Sequence, residues 1–263
     1  SLPGRGVRTD DALPPAHQAT RHTPMTTASA PQLHAAPGLA VARLDADARA
    51  TFLVRTYSHL AGAVALFVAV EIVLFRTGIA ERITVALQGR WLLALMAFML
   101  AGWFASRTAH RASSPLAQYS ALVGYVLAEA LIFCPLLYAA EAMSARNGTS
   151  MIASAAQVTL VGFVGLTLVA FLSGKDFSFL GALLRWFGVA ALIGIVASLI
   201  FGFDLGTWFS VGMVVFAGAA VLWDTSRILH HYPADRYVGA SLELFGSIAL
   251  MFWYVLRIFM SRR

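Results

Sequence analysis

The sequence predicts an all-α membrane protein, a seven-transmembrane helix bundle. Three observations carry that prediction. Of the 263 residues 59% are hydrophobic and only 12% charged, and the mean hydropathy of +0.74 lies well above that of an ordinary soluble domain. Apolar runs of near-spanning length recur from Tyr57 onward, as expected when about 20 helical residues must cross a hydrocarbon core of about 30 Å. The polar connections between the runs are short, which leaves no room for a second folded domain.

Taken in order, residues 1–50 are rich in Pro, Ala, Thr, Gly and His and lack both apolar periodicity and a continuous signal-peptide core. They read as a disordered N-terminal tail. Met25 opens MTTASAPQLH and is a candidate native start. Residues 51–263 read as one transmembrane domain whose seven segments cover roughly 57–75, 91–106, 116–139, 151–172, 179–201, 208–228 and 238–260. Small residues such as Gly162, Gly165, Gly188, Gly212 and Gly218 recur inside them, where they let neighbouring helices approach closely.

The net charge of +6 comes from 19 basic and 13 acidic residues. Lys175 is the only lysine. Because the basic residues cluster in the connections, they read as topology signal and headgroup contacts, not as a nucleic-acid surface. The side of the N-terminus carries Arg43, Arg49, Arg55, Arg107, Arg111, Lys175, Arg185, Arg227 and Arg236, against Arg76, Arg82, Arg90, Arg146, Arg262 and Arg263 on the other. This bias predicts a cytoplasmic N-terminus. The single cysteine, Cys134, excludes an intramolecular disulfide and any Cys-x-x-Cys metal or redox site.

A carboxylate in mid-bilayer costs roughly 2.5–3.5 kcal/mol on insertion scales, so each one retained marks a functional candidate. Glu71 lies close to Arg76 near a span end and reads as an interfacial charge. Glu129, in VGYVLAEALIFCP, has no basic neighbour in sequence; it needs a partner from another helix or a proton. Asp224 and Glu243 flank the turn HHYPADR at similar distances, so at about 1.5 Å rise per residue two antiparallel helices bring them to similar depth. Ser247 follows Glu243 on the same helix face. Two carboxylates sharing a low-dielectric site make a proton-sensitive pair or a transient calcium site. The competing reading pairs Asp224 locally with Arg227, at i+3.

Several of these stretches resemble the Bax inhibitor-1 superfamily. WDTSRILHHYPADRYVGASLELFGSIALMFWYVLRIF, at the end of the chain, resembles that family's closing pattern; LSGKDFSFLGALL resembles its K-x-D-F-S-F-L run, and AEALIFCPLL its third-span motif with a glutamate. The resemblance runs from about Arg49 to the C-terminus and is closest to bacterial members. It implies a seven-helix bundle with the last helix central, and a pair of acidic residues on the sixth and seventh helices that latches a calcium-permeable path in response to pH. Asp224 matches the first of the pair. The second falls on Ser247, a departure, since a hydroxyl does not ionise in this range; Glu243, one turn away, is the possible stand-in. An arginine near the end of the second span holds the latch in some bacterial members, and Arg107 is its nearest match here.

Other motifs have simpler readings. Ser173 and Lys175 suggest a nucleophile-bearing turn, but a connection whose Asp176 and Ser178 cap the fifth helix explains them as well. His230 and His231 lack further ligands at metal-binding spacing, and the tryptophans fall mostly near span ends, as interface anchors do. The expected function is a pH-sensitive cation leak, calcium foremost, in a bacterial inner membrane, with Asp224, Glu243, Ser247, Arg107 and Glu129 along the path. No enzyme activity and no cofactor are expected. The alternatives are a membrane protein that binds and modulates a membrane-anchored ATP-dependent protease, and a stress-protective scaffold without conductance.

Overall fold

The computed structural model describes residues 40–90, 96, 99, 100, 102, 107 and 114–261. Most of the segment expected at 91–106, and residues 1–39 of the expected tail, lie outside the described residues. Seven α-helices fall within them: α1 (Ala46–Arg76), α2 (Ile79–Leu87), α3 (Pro115–Asn147), α4 (Met151–Ser173), α5 (Leu180–Phe201), α6 (Gly206–His230) and α7 (Tyr237–Ser261). Six of them, all but α2, are long and apolar enough to cross a membrane.

The chain punctuates these helices with ordinary end signals. Asp45 caps α1 by accepting the Ala48 N–H at 2.7 Å. Ser114 and Pro115 open α3, where proline's missing N–H is harmless. Gly148, Gly174 and Gly202 close α3, α4 and α5 in the left-handed conformation that glycine adopts without steric penalty. The short α2 lies in what the sequence suggested was a polar connection. Gly78, at φ 69°, turns the chain from α1 into it, and Ala80 anchors it by burial.

The stretch read as a tail also ends earlier than residue 50. Val41–Arg43 form a turn of 3-10 helix, and Val41 is fully buried, its N–H donating to the Tyr232 carbonyl at 2.9 Å. An apolar residue with a backbone partner on the α6–α7 connection is enough to order this segment, although it shows no periodicity of its own.

The last helix is central: α7 packs on α1, α3, α4 and α6. Small side chains on α7 allow that density. Ser241, fully buried, donates to the Thr56 carbonyl of α1 at 2.7 Å, a short link that only a small residue permits. By contrast α5 packs chiefly on α6. There the approach is closest at Gly181, where an added Cβ would lie 2.6 Å from the Trp223 indole nitrogen.

Candidate functional site

The α6–α7 hairpin brings the candidate residues together, with Asp224 on Ser247, the position the resemblance indicates, and not on Glu243, the one that equal depth suggests. Asp224 is buried, 4% exposed, and its Oδ2 accepts a 2.5 Å hydrogen bond from the Ser247 hydroxyl. Glu243 instead meets Arg227, whose Nη1 donates to both carboxylate oxygens at 3.3 and 3.2 Å. The Arg227 guanidinium also lies 4.5 Å from the centre of the Trp223 ring, a cation–π contact. The local Asp224–Arg227 pair is therefore not what forms.

The one-turn offset has a geometric cause. A helical side chain leans toward its own N-terminus. Asp224 leans into the bundle, whereas residues of antiparallel α7 lean back toward the connection. They meet only when the α7 residue lies about a turn deeper than equal depth suggests. Ser247, not Glu243, satisfies that condition, and Arg227 with Glu243 repeats the register nearer the turn.

Beside the hairpin, between α3, α5, α6 and α7, lies a cavity of about 760 Å³. Asp204 and Arg257 line one part of it, 3.9 Å apart in an ion pair, with Asp204 84% exposed on the α5–α6 connection. Glu129, 3% exposed at the middle of α3, also lines it, with Tyr125 one turn away. Tyr125 also borders Gly246, where an added Cβ would meet the phenol oxygen at 3.0 Å. Tyr125 thus stands beside the wall that separates the cavity from Ser247 and Asp224.

The family model described as inhibitor of apoptosis-promoting Bax1 matches residues 49–263. The chain belongs to that family. Its relatives include an uncharacterized protein of Pseudomonas aeruginosa, 36% identical over 43% of this chain and 51% of its own length. Bax inhibitor 1 of Schizosaccharomyces pombe is 34% identical over 53% of this chain and 48% of its own, and a Golgi anti-apoptotic protein of vaccinia virus is 28% identical over 57% and 61%. The chain thus spans about half the length of the first of these curated relatives.

Within this Bax inhibitor family bundle, Asp224, Ser247, Glu243 and Glu129 all gather on the hairpin and the adjoining cavity. Arg107 is exposed; the charges acting on Asp224 come from Glu243 and Arg227. No cluster of three or more His, Cys, Asp or Glu side chains able to hold a metal occurs among the described residues. Glu243 is paired with Arg227, not with Asp224.

One set of contacts had no clear signal in the sequence. Asp176, on the α4–α5 connection, accepts from the Ser178 hydroxyl at 2.5 Å, from the Ser178 N–H at 2.9 Å and from Ser226 at 3.2 Å, and pairs with His231 at 2.9 Å. Ser226, fully buried two residues beyond Asp224, also accepts the Phe177 N–H at 2.9 Å. The expected capping of α5 by Asp176 and Ser178 does not occur: Phe179 occupies the cap position, with no side-chain bond. Asp176 instead ties the connection to the end of α6. The tryptophan expectation is likewise mixed. Trp186 and Trp208 are exposed, but Trp223 carries Arg227 and Trp253 packs edge-on against Phe133 at 5.0 Å.

Proposed function

We propose that this Bax inhibitor family protein is a pH-sensitive cation leak, with calcium as the cation, in which Asp224 is the titrating group. The observation that carries the reading is a buried carboxylate, joined by a neighbouring helix's hydroxyl, near a cavity that reaches the middle of α3. Retaining such a group is expensive unless it serves passage or sensing. Tyr125 and Gly246 line the cavity on the side of α7 that carries Ser247, and in this reading the Asp224–Ser247 hydrogen bond is the barrier that a change of protonation loosens.

Calcium is a hard cation that seeks oxygen ligands, and the route offers Glu129, Tyr125, Asp224 and Ser247 in succession. The protein acts in this reading as a conductor and not as an enzyme, and its membrane is a bacterial inner membrane. The test is calcium entry into protein-loaded vesicles. Asp224→Asn should abolish or flatten the flux; vesicles that leak no faster than empty ones would overturn the reading and favour binding of a membrane-anchored protease as the function.

A further inference from the structure

The cavity has a property that a path for a hydrated metal ion does not need. Its walls are almost wholly apolar, with Ile132, Phe133, Leu136, Leu192, Ile195 and Leu250 among them, while its inner part holds one buried carboxyl, Glu129. Tyr125, one turn away on the same helix, is the polar group beside Glu129. The space arises because α5 packs chiefly on α6 and stands off α3 and α7. A cavity of this size, apolar with a few convergent polar groups, is the ordinary form of a small-molecule site.

We infer that this cavity binds a lipophilic monoamine, its ammonium on Glu129 and its apolar body along α3, α5 and α7. Charge decides the head group. A carboxylate this deep is costly unless a proton or a cation joins it, and among the described lining residues the one basic group, Arg257, is paired with Asp204. Coordination decides against a bare divalent ion resting there, because calcium takes six to eight oxygens, whereas an ammonium has three donors, which the two Glu129 oxygens and the Tyr125 oxygen match. The rings of Phe133, Phe216 and Trp253 in the lining add cation–π attraction for the same head group. A plain acyl chain from the bilayer would fill the space but make no use of the Glu129 carboxyl. The inference stands whether or not the chain conducts ions.

The test is photoaffinity labelling of the full chain in lipid nanodiscs, with diazirine-tagged dodecylamine as probe and diazirine-tagged dodecanol as control. The amine should label the lining of α3, α5 and α7, and Glu129→Gln should reduce that labelling about tenfold, the change for each 1.4 kcal/mol of binding free energy. Ala191→Phe, which fills the cavity from α5 and leaves Glu129 intact, should abolish it, and this variant decides the matter if Glu129→Gln does not fold. Equal labelling by amine and alcohol, labelling confined to outward residues such as Trp186, or full labelling of Ala191→Phe would each overturn the assignment.

Discussion

Ser247 donates a 2.5 Å hydrogen bond to Asp224 Oδ2 across the α6–α7 hairpin, and one turn nearer the connection Arg227 holds Glu243. The two acids of the hairpin are thereby given different roles. Asp224 is answered by a neutral donor, while Glu243 belongs to an ion pair.

That division predicts strong coupling between Arg227 and Glu243. Their side chains are 27% and 16% exposed, so removing either partner leaves a half-buried charge, at about 1–3 kcal/mol. Arg227→Gln with Glu243→Gln should destabilise by less than the sum of the single variants, with a coupling of about 1–2 kcal/mol in a double-mutant cycle of detergent unfolding. Additivity would show that the pair contributes nothing as a pair.

The position of Arg227 depends on Trp223, and Trp223 on a glycine. Gly181→Ala places a methyl 2.6 Å from the indole, which displaces the ring and should cost about 1–3 kcal/mol. At Gly188 the nearest atom, on Phe216, is 3.5 Å away, an ordinary contact, so Gly188→Ala should be near neutral. Thermal unfolding of the two variants checks the contrast.

Val41 anchors the start of the domain. Val41→Ala should cost about 1 kcal/mol and Val41→Asp, which buries a charge beside Tyr232, more than about 2 kcal/mol. Equal stability of all three proteins would mean that the segment does not matter to the fold.

Asp176 gives a pH dependence outside the membrane spans. The Ser178 hydroxyl, and after it His231, hold its carboxyl below the usual carboxylate range. A group whose folded value is depressed stabilises above its unfolded value, about pH 3.9 for aspartate, and loses that stabilisation as pH falls through the folded value. Wild type should therefore exceed Asp176→Asn in thermal stability at neutral pH, and the gap should close only on acidification below about pH 4. The effect is small, since Asp176 is 44% exposed and screened by solvent. A gap unchanged into strong acid would contradict the assignment.

Much of the bundle was legible in the sequence because lipid imposes one rule, that apolar length means a helix. The spans expected from 151 onward end within a residue or two of α4, α5, α6 and α7. The misplaced features are those that length does not decide. The segment at 41–50 is ordered by one buried valine and one backbone bond, and α2 by packing on α1 and α3. In the hairpin, depth alone points to Glu243 as the partner of Asp224, the family resemblance points to Ser247, and the lean of helical side chains is what favours Ser247. Asp176, Ser226 and His231 meet through tertiary packing across about 50 residues of chain, a separation that short-range sequence patterns do not bridge.

The proposed cation path takes its pH response from Asp224, joined to Ser247. The direct measurement is calcium flux in proteoliposomes from about pH 5 to about pH 8 for wild type, Asp224→Asn and Ser247→Asp. A single titrating carboxyl gives a shallow profile, and a second one placed against it makes two coupled steps. Wild type should show a shallow dependence, Asp224→Asn none and Ser247→Asp a broader one spread over two steps; a wild-type profile retained by Asp224→Asn would overturn the role of Asp224.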